Sequence, residues 1–194
     1  MSAALIVIGH QLFFEEKVYP CAIGKGGFSA DKREGDGATP LGVFALRECW
    51  YRADRLPAPH TRLPLRVIGK DDGWCDDPNS SAYNRHIKIP LPVGERLGEG
   101  LTCSDAVNIA PLPSSPLQGE GYERLWREDH CYDLIVPMGY NDAPVVAGRG
   151  SAIFLHVMHD SGRATEGCVA LAKADLLEIL PRLDTASRIE IRQA

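Results

Sequence analysis

The residues best suited to chemistry are a histidine and a cysteine twelve positions apart, His156 and Cys168. A thiol is a modest nucleophile at neutral pH, and a nearby imidazole can accept its proton. A loop of this length can turn the chain and bring the two side chains together. Gly167 directly precedes the cysteine, and its lack of a Cβ would let a substrate carbonyl approach the backbone. The N–H groups of Gly167 and Cys168 could then bind an oxyanion.

Spacing alone leaves other interpretations of these residues open. Cys168 could be a buried structural cysteine, the commonest role for this residue type. His156 could be a hydrogen-bonded histidine of the core. A metal site of His156, His159 and Cys168 is a third alternative, although the sequence offers no evident fourth ligand and the spacing matches no zinc motif.

The histidine lies at the end of an apolar segment, 152–157, that is too short for a helix and is predicted to be a strand. Similar segments recur along the chain, separated by many of its 19 Gly and 14 Pro residues. This pattern favours a mainly β protein, a sandwich or barrel, over alternating βαβ units. The other predicted strands are Leu5–Ile8, Val18–Ile23, Gly42–Leu46, Leu65–Ile68, Ile87–Ile89, Tyr132–Val136 and Arg188–Ile191.

Helical signals are few. A helix is predicted over Lys173–Leu183, where three leucines share one face, and a short one over Tyr122–Asp129. The segment 91–121 is rich in Pro, Ser and Gly and lacks helical or strand periodicity over most of its length, which indicates a surface insertion. We therefore expect residues 1–194 to form a single domain that carries this insertion.

Composition excludes several classes of protein. The chain of 194 residues has a net charge of −5 and no run of Lys or Arg, so no nucleic-acid partner is expected. No apolar run approaches the roughly 20 residues of a transmembrane helix. The apolar segment 1–9 lacks a basic n-region and a cleavage site, which indicates a first strand and, as written, a cytoplasmic protein. The six cysteines form no CxxC pair, and no metal or cofactor is expected.

Several motifs resemble the YkuD-type L,D-transpeptidase catalytic domain. The family signature is a histidine, a variable loop and then Ser/Thr-x-Gly-Cys, and here His156 is followed by Thr165-Glu166-Gly167-Cys168. The segment 39–44, TPLGVF, is similar to the family's Thr-Pro-x-Gly-x-Phe strand entry. Three further segments are similar to motifs of one branch of the family: Gly73–Asp77, Tyr83–Arg85 and Tyr140–Asp142.

The resemblance implies a YkuD-like β sandwich with a few short helices. In this family the cysteine attacks an L-centred carbonyl, such as that of diaminopimelate, in a peptidoglycan stem peptide and releases the terminal D-residue. The thioester then passes to an amine or to water. On this basis Cys168 is the expected nucleophile, His156 the base and Gly167 the oxyanion-side residue. Ser151 and Thr165 look like supporting polar positions.

One departure from the family concerns substrate binding. Most members have an arginine two residues after the cysteine, where this chain has Ala170. Recognition of a substrate carboxylate must then come from elsewhere. Arg85 and Arg149 are candidates for that role, with a surface or ion-pair role as the alternative for each. Tyr83 and Asn84 are further binding candidates, or simply pack a turn.

A second departure concerns the charge beside the thiol. The residue before Gly167 is often basic in the family, whereas here it is Glu166, which should oppose thiolate formation. Adjacent side chains of an extended segment point to opposite faces, so the carboxylate can lie in water. The sequence therefore predicts that His156 dominates and lowers the pKa of Cys168.

The leading functional hypothesis is an L,D-transpeptidase acting on peptidoglycan stem peptides or muropeptides. One alternative is an L,D-carboxypeptidase that uses water as the acceptor, and the missing signal peptide favours this enzyme in the recycling of wall fragments. Periplasm or cell envelope is the alternative location, as is usual for the family. A non-catalytic module that binds peptidoglycan or a protein is a more distant alternative.

Overall fold

The computed structural model describes residues 4–91 and 121–193, and within these ranges the fold is mainly β, as the sequence predicts. Except for its two end residues, the expected insertion at 91–121 lies outside them. The strands before it are β1 (Ala4–Ile8), β2 (Gln11–Phe14), β3 (Lys17–Ala22), β4 (Phe28–Ser29), β5 (Thr39–Pro40), β6 (Gly42–Ala45), β7 (Cys49–Tyr51), β8 (Leu65–Val67), β9 (Asp72–Cys75) and β10 (His86–Lys88). Those after it are β11 (Tyr122–Arg124), β12 (Leu134–Pro137), β13 (Phe154–Val157), β14 (Val169–Leu171) and β15 (Arg188–Arg192), with one α-helix, α1 (Lys173–Ile179).

Ten strands form one sheet in the order β6-β15-β1-β2-β3-β14-β13-β12-β7-β8. Most neighbours are antiparallel, but three pairs are parallel: β15 with β1, β14 with β13, and β7 with β8. The parallel pair β13–β14 aligns Leu155 with Val169 and His156 with Ala170. This register places the segment that ends in the cysteine beside the strand that carries the histidine.

The two faces of the sheet have different roles because successive side chains of a strand point to opposite sides. On β13, Leu155 and Val157 belong to the main hydrophobic core, which also contains Leu176 and Ile179 of α1. Phe154 belongs to a second, smaller cluster on the other face. His156, two residues further on, therefore shares the face of Phe154.

A three-stranded sheet in the order β10-β9-β11 packs against that second face. The Trp74 ring of β9 meets the Phe154 ring edge-on, with centroids 5.1 Å apart. The imidazole ring of His86 on β10 packs edge-on against the indole ring of Trp50 on β7, with centroids 4.8 Å apart. These aromatic contacts join the two sheets.

The short helix expected over Tyr122–Asp129 is wrong. Residues 122–124 form β11, which pairs antiparallel with β9 and aligns Glu123 with Trp74. Eight residues cannot sustain a helix without tertiary contacts, and here pairing with a neighbouring strand provides those contacts instead. The helix expected after the cysteine is present, although its α-helical part ends at Ile179 and Pro181 lies in a following 3-10 turn.

Candidate active site

Cys168 and His156 line the same pocket, which has a volume of about 530 Å³. Cys168 directly precedes β14, and His156 lies opposite Ala170 in the parallel β13–β14 pair. Both side chains are 6% exposed. Two adjacent parallel strands thus present the nucleophile and the base predicted from the sequence on one face.

The Cys168 thiol is held by backbone groups of the neighbouring strand. Its Sγ donates to the carbonyl of Ala152 at 3.2 Å and accepts from the N–H of Phe154 at 3.3 Å. Across the described ranges, no hydrogen bond joins this sulfur to the ring of His156. The sulfur and the imidazole share the pocket, and their direct contact would have to form during reaction.

The backbone fixes the tautomer of His156. Its Nδ1 lies 2.8 Å from the carbonyl oxygen of Val157, and because a carbonyl only accepts, Nδ1 carries the proton. Nε2 is then the basic nitrogen. The ring of Tyr132 packs edge-on against the imidazole, with centroids 5.3 Å apart and an interplanar angle of 78°. These two contacts fix the orientation of the ring.

Burial keeps both groups neutral. It lowers the pKa of His156 to about 4, and the nearby charge of Arg127 also lowers it. Hydrogen bonds to two backbone carbonyls act in the opposite direction. Burial likewise raises the pKa of Cys168 to about 12, aided by the charge of Glu123. The expectation that the imidazole lowers the thiol pKa is therefore wrong for this structure. Loss of hydration outweighs nearby charges, so the resting pair is thiol and neutral imidazole.

Thr165 organises the loop that precedes the cysteine. Its Oγ1 donates to the carbonyl of Cys168 at 2.7 Å and accepts from the N–H of Gly167 at 3.2 Å. Its own N–H donates to the carbonyl of Ile23 at 2.9 Å, next to β3. Thr165 lines the pocket, but its contacts show a role in holding the loop in place.

Gly167 is required for a different reason from the one expected. A Cβ at this position would lie 2.8 Å from the carbonyl oxygen of Ala38, and φ is +133°, where side chains are strained. That space is filled by protein, so the missing Cβ opens no path for a substrate carbonyl. The Gly167 N–H is also already bonded to Thr165.

The carboxylate of Glu166 points outward, as the sequence predicts. It forms an ion pair with Lys25 at 2.8 Å, and its side chain is 71% exposed. An exposed and paired carboxylate is screened by water and exerts little effect on a buried thiol.

Ser151 and Tyr83 converge on a carboxylate that the sequence did not indicate. Ser151 Oγ donates to Glu34 at 2.7 Å, and Tyr83 OH donates to the same oxygen at 2.5 Å. Tyr83 OH also accepts from the N–H of Gly150 at 2.9 Å. Ser151 and Glu34 line the pocket, whereas Tyr83 supports them from behind.

Asn84 also acts behind the pocket. Its side-chain amide nitrogen donates to the carbonyls of Tyr140 and Asn141, and its oxygen accepts from the indole of Trp74 at 3.0 Å. The same oxygen accepts from the N–H of Ala152 at 3.2 Å. These bonds connect turns that form the pocket, so the structure places Asn84 in a packing position.

The two arginines considered for substrate binding lie elsewhere. Arg85 donates to the carbonyl of Asp142 at 3.0 Å, and Arg149 forms an ion pair with Asp31. Neither is among the residues that line the pocket. Their contacts match the structural alternative that the sequence left open.

The pocket instead contains charged residues from distant parts of the chain. The acids include Glu34, Asp76 and Glu123, and the arginines are Arg127 and Arg163. Sequence reasoning missed all five, because they are separated along the chain and match no motif.

Arg127 is held more tightly by its neighbours than Arg163. Arg127 is held by Asp129 through two hydrogen bonds, at 3.0 and 2.5 Å, and lies over the Tyr132 ring. Arg163 is 60% exposed, and its ion pair with Asp129 is 3.6 Å long. Arg163 is therefore the less constrained of the two guanidinium groups.

Glu123 is a partly buried carboxylate of the pocket, with a side chain that is 27% exposed. It accepts a hydrogen bond of 2.6 Å from Tyr132 OH, and Arg127 lies 3.4 Å away. Burial raises its pKa against the effects of both partners. Within the described ranges, no group of three or more His, Cys, Asp or Glu side chains is arranged to hold a metal ion.

Comparison with known proteins identifies a family. Residues 6–191 match the model of the YkuD family, described as the L,D-transpeptidase catalytic domain. The solved structures that this chain matches include the crystal structure of Mycobacterium tuberculosis L,D-transpeptidase 1, with 11% sequence identity and a TM-score of 0.36; the match covers all of this chain and 62% of that one. A search of the curated proteins finds no significant match. Among the described residues, no helix is long and apolar enough to cross a membrane.

Proposed function

Because the chain belongs to the family of L,D-transpeptidase catalytic domains, we propose that it is a cysteine-dependent acyltransferase of peptidoglycan metabolism. Its substrate is a stem peptide, whose L,D peptide bond it cleaves through a thioester on Cys168. The observation that supports this most is the shared pocket of Cys168 and a neutral His156 whose Nδ1 is held by a carbonyl. The acyl group then passes to an amine.

The first half-reaction begins with a neutral pair. As Cys168 Sγ attacks the substrate carbonyl carbon, its proton moves to Nε2 of His156, and the carbonyl oxygen becomes an oxyanion. Collapse of the tetrahedral intermediate breaks the C–N bond. The imidazolium gives its proton to the leaving amine of the D-residue, so the products are a thioester, a free D-amino acid and neutral His156.

The second half-reaction reverses these proton movements. The acceptor amine attacks the thioester carbonyl and gives a proton to Nε2 of His156. The C–S bond then breaks, and the sulfur leaves with the proton that the imidazolium returns. The result is a new amide bond and the original thiol. Water in place of the amine would give the carboxypeptidase reaction.

Charge in the pocket supports an ionic peptide as the substrate. Arg163, exposed and weakly paired, is the group we propose for a carboxylate of the stem peptide, in place of the family arginine that Ala170 replaces. Glu34 and Asp76 on the pocket wall suit an ammonium group. Arg127 is already bonded to Asp129 and orders the pocket.

The test is incubation with a disaccharide tetrapeptide, with and without an amine acceptor, followed by mass analysis. A crosslinked dimer indicates transpeptidation, and loss of D-alanine alone indicates carboxypeptidase action. Cys168→Ala should form neither product. Cys131→Ala is the matched control, since Cys131 lines the same pocket and has no role in the steps. Turnover by Cys168→Ala would rule out the thioester, and a wild-type protein without either product would favour a binding module.

A further inference from the structure

A buried lysine lies next to the cysteine, and the reaction steps do not use it. The Lys32 side chain is 3% exposed. Its Nζ lies 3.2 Å from the place that a Cβ on Gly167 would occupy, and its Cε lies 2.9 Å from the corresponding place on Gly150. Both glycines have positive φ, of +133° and +99°. The chain thus makes room for an ammonium group beside the backbone that leads into Cys168.

The acidic partner of this lysine does not cancel its charge inside the protein. Asp36 Oδ1 lies 2.7 Å from Lys32 Nζ, but the Asp36 side chain is 26% exposed. The two oxygens of Asp36 also accept from the N–H groups of Ala38 and Arg33, at 2.8 and 2.7 Å. Water and backbone dipoles therefore screen the carboxylate more than the ammonium, which leaves a net positive potential on the buried side.

We propose that Lys32 is an electrostatic positioning residue whose ammonium stabilises the negative charge that develops as Cys168 loses its proton and attacks. The inference rests on the proposed function for its catalytic meaning, but its effect on the thiol is independent of any substrate. An enzyme whose thiol starts neutral and buried gains most from a fixed cation close to the sulfur.

The charges around Cys168 set the direction of this effect. Glu123 of β11 opposes the thiolate, while Lys32 and Arg127 favour it. His156 and Tyr132 are uncharged at neutral pH, because burial lowers the pKa of the imidazole and raises that of the phenol. The pocket also contains the titratable side chains Glu34, Asp76, Cys131, His159, Arg163 and Glu166. Removal of Lys32 should therefore leave Arg127 as the main cation that opposes the effect of Glu123 on the thiol.

The experiment compares Lys32→Met, which removes the charge, with Lys32→Arg, which keeps it. Iodoacetamide labelling is followed at pH 8 to 9 by peptide mass, without substrate, and Cys131 in the same pocket is the internal reference. We expect Cys168 in Lys32→Met to label about tenfold more slowly, because a rise of about one unit in the thiol pKa lowers the thiolate fraction tenfold. Lys32→Arg should label close to the wild-type rate, and Cys131 should label equally in all three proteins.

Equal Cys168 rates in the wild type and a folded Lys32→Met variant would overturn the proposal, as would equal slowing by Lys32→Met and Lys32→Arg. Lys32→Gln is the second neutral variant if Lys32→Met unfolds, which rapid labelling of the core Cys49 would reveal. Unfolding of both neutral variants would assign Lys32 a purely structural role and also overturn the proposal. If Lys32→Met slows labelling of Cys168 but the wild-type protein forms no peptidoglycan product, the proposed function is rejected and this inference stands.

Discussion

Thr165 Oγ1 bonds at the same time to the carbonyl of Cys168, at 2.7 Å, and to the N–H of Gly167, at 3.2 Å. One hydroxyl therefore bridges the backbone on both sides of the Gly167–Cys168 peptide bond, next to the proposed nucleophile. The loop is tied on its other side to Ile23, through the N–H of Thr165. Both bonds go to backbone groups, so we expect the hydroxyl to hold the Cys168 backbone in place and to take no part in the proposed reaction.

Thr165→Val should lower the rate of turnover and destabilise the protein. The valine keeps the shape but loses both hydrogen bonds, which costs about 1–3 kcal/mol in a partly buried site. Thr165→Ser keeps the hydroxyl and is the control, with turnover close to that of the wild type. Denaturant unfolding and product formation measure the two effects. Wild-type turnover by Thr165→Val would show that the loop holds the sulfur without this clamp.

The pH dependence of turnover should show a single acid limb near pH 4. General-base catalysis needs neutral His156, whose pKa burial lowers to about 4, and the protonated thiol persists to about 12. The rate should be flat from about pH 5.5 to 8 and fall as the imidazole gains a proton. The measurement is kcat/KM from about pH 3.5 to about pH 9, which covers both the acid limb and the pKa of a free thiol. A rate that climbs with a midpoint near the pKa of a free thiol, about 8.5, would show instead that preformed thiolate reacts.

The same histidine should make the protein acid-labile. Its folded pKa, about 4, lies below the unfolded value of 6.5, so the unfolded state takes up the proton first as pH falls. The contribution of neutral His156 to the free energy of unfolding is fully present above pH 6.5 and falls by about 3 kcal/mol as the pH decreases to 4. The free energy of unfolding at pH 7 and pH 4 measures this, and His156→Gln should lose less over the interval. His159→Gln, a change at a partly exposed position just after β13, is the control and should keep the wild-type loss. An unchanged loss in His156→Gln would contradict the assignment.

Asp133 should be a major contributor to stability. Its side chain is fully buried and pairs with Arg55 and Lys173, each at 2.9 Å. Asp133→Asn removes the buried counter-charge of both cations and, in the described part of the chain, leaves Arg55 paired only with the exposed Glu128. Loss of one partner of a buried pair costs about 3–5 kcal/mol, and because both cations are partly exposed we expect a loss near the lower value. The control is Glu128→Gln, because Glu128 binds the same arginine at 2.7 Å but is 81% exposed. Equal denaturation midpoints for the two variants would refute this role for Asp133.

The sequence predicted the parts of the site that depend on local pattern. The strand carrying His156, the loop to Cys168 and the helix that follows all have short-range signals. It could not predict which charged residues line the pocket, because residues as far apart in the chain as Glu34 and Arg127 are brought to one pocket only by tertiary folding. It also gave the wrong direction for the thiol pKa, since the loss of hydration at Cys168 depends on what packs over it.

The strand pairing also explains the error over Tyr122–Asp129. The partner of β11 is β9, nearly fifty residues earlier in the chain, so no local window contains the information that makes the segment extended. Gly167 presents the same difficulty on a smaller scale. Its requirement for glycine comes from the carbonyl of Ala38, which lies far away in sequence.

The position of β15 between β6 and β1 makes the final strand of the described chain an inner strand of the sheet. During synthesis, β1 and β6 emerge early and keep unpaired edges until Arg188–Arg192 has left the ribosome. Exposed edges of this kind recruit other chains, and contacts between distant segments form slowly. Nascent or refolding protein should therefore be most prone to aggregation just before this strand inserts, and a chaperone that shields strand edges would act at that stage.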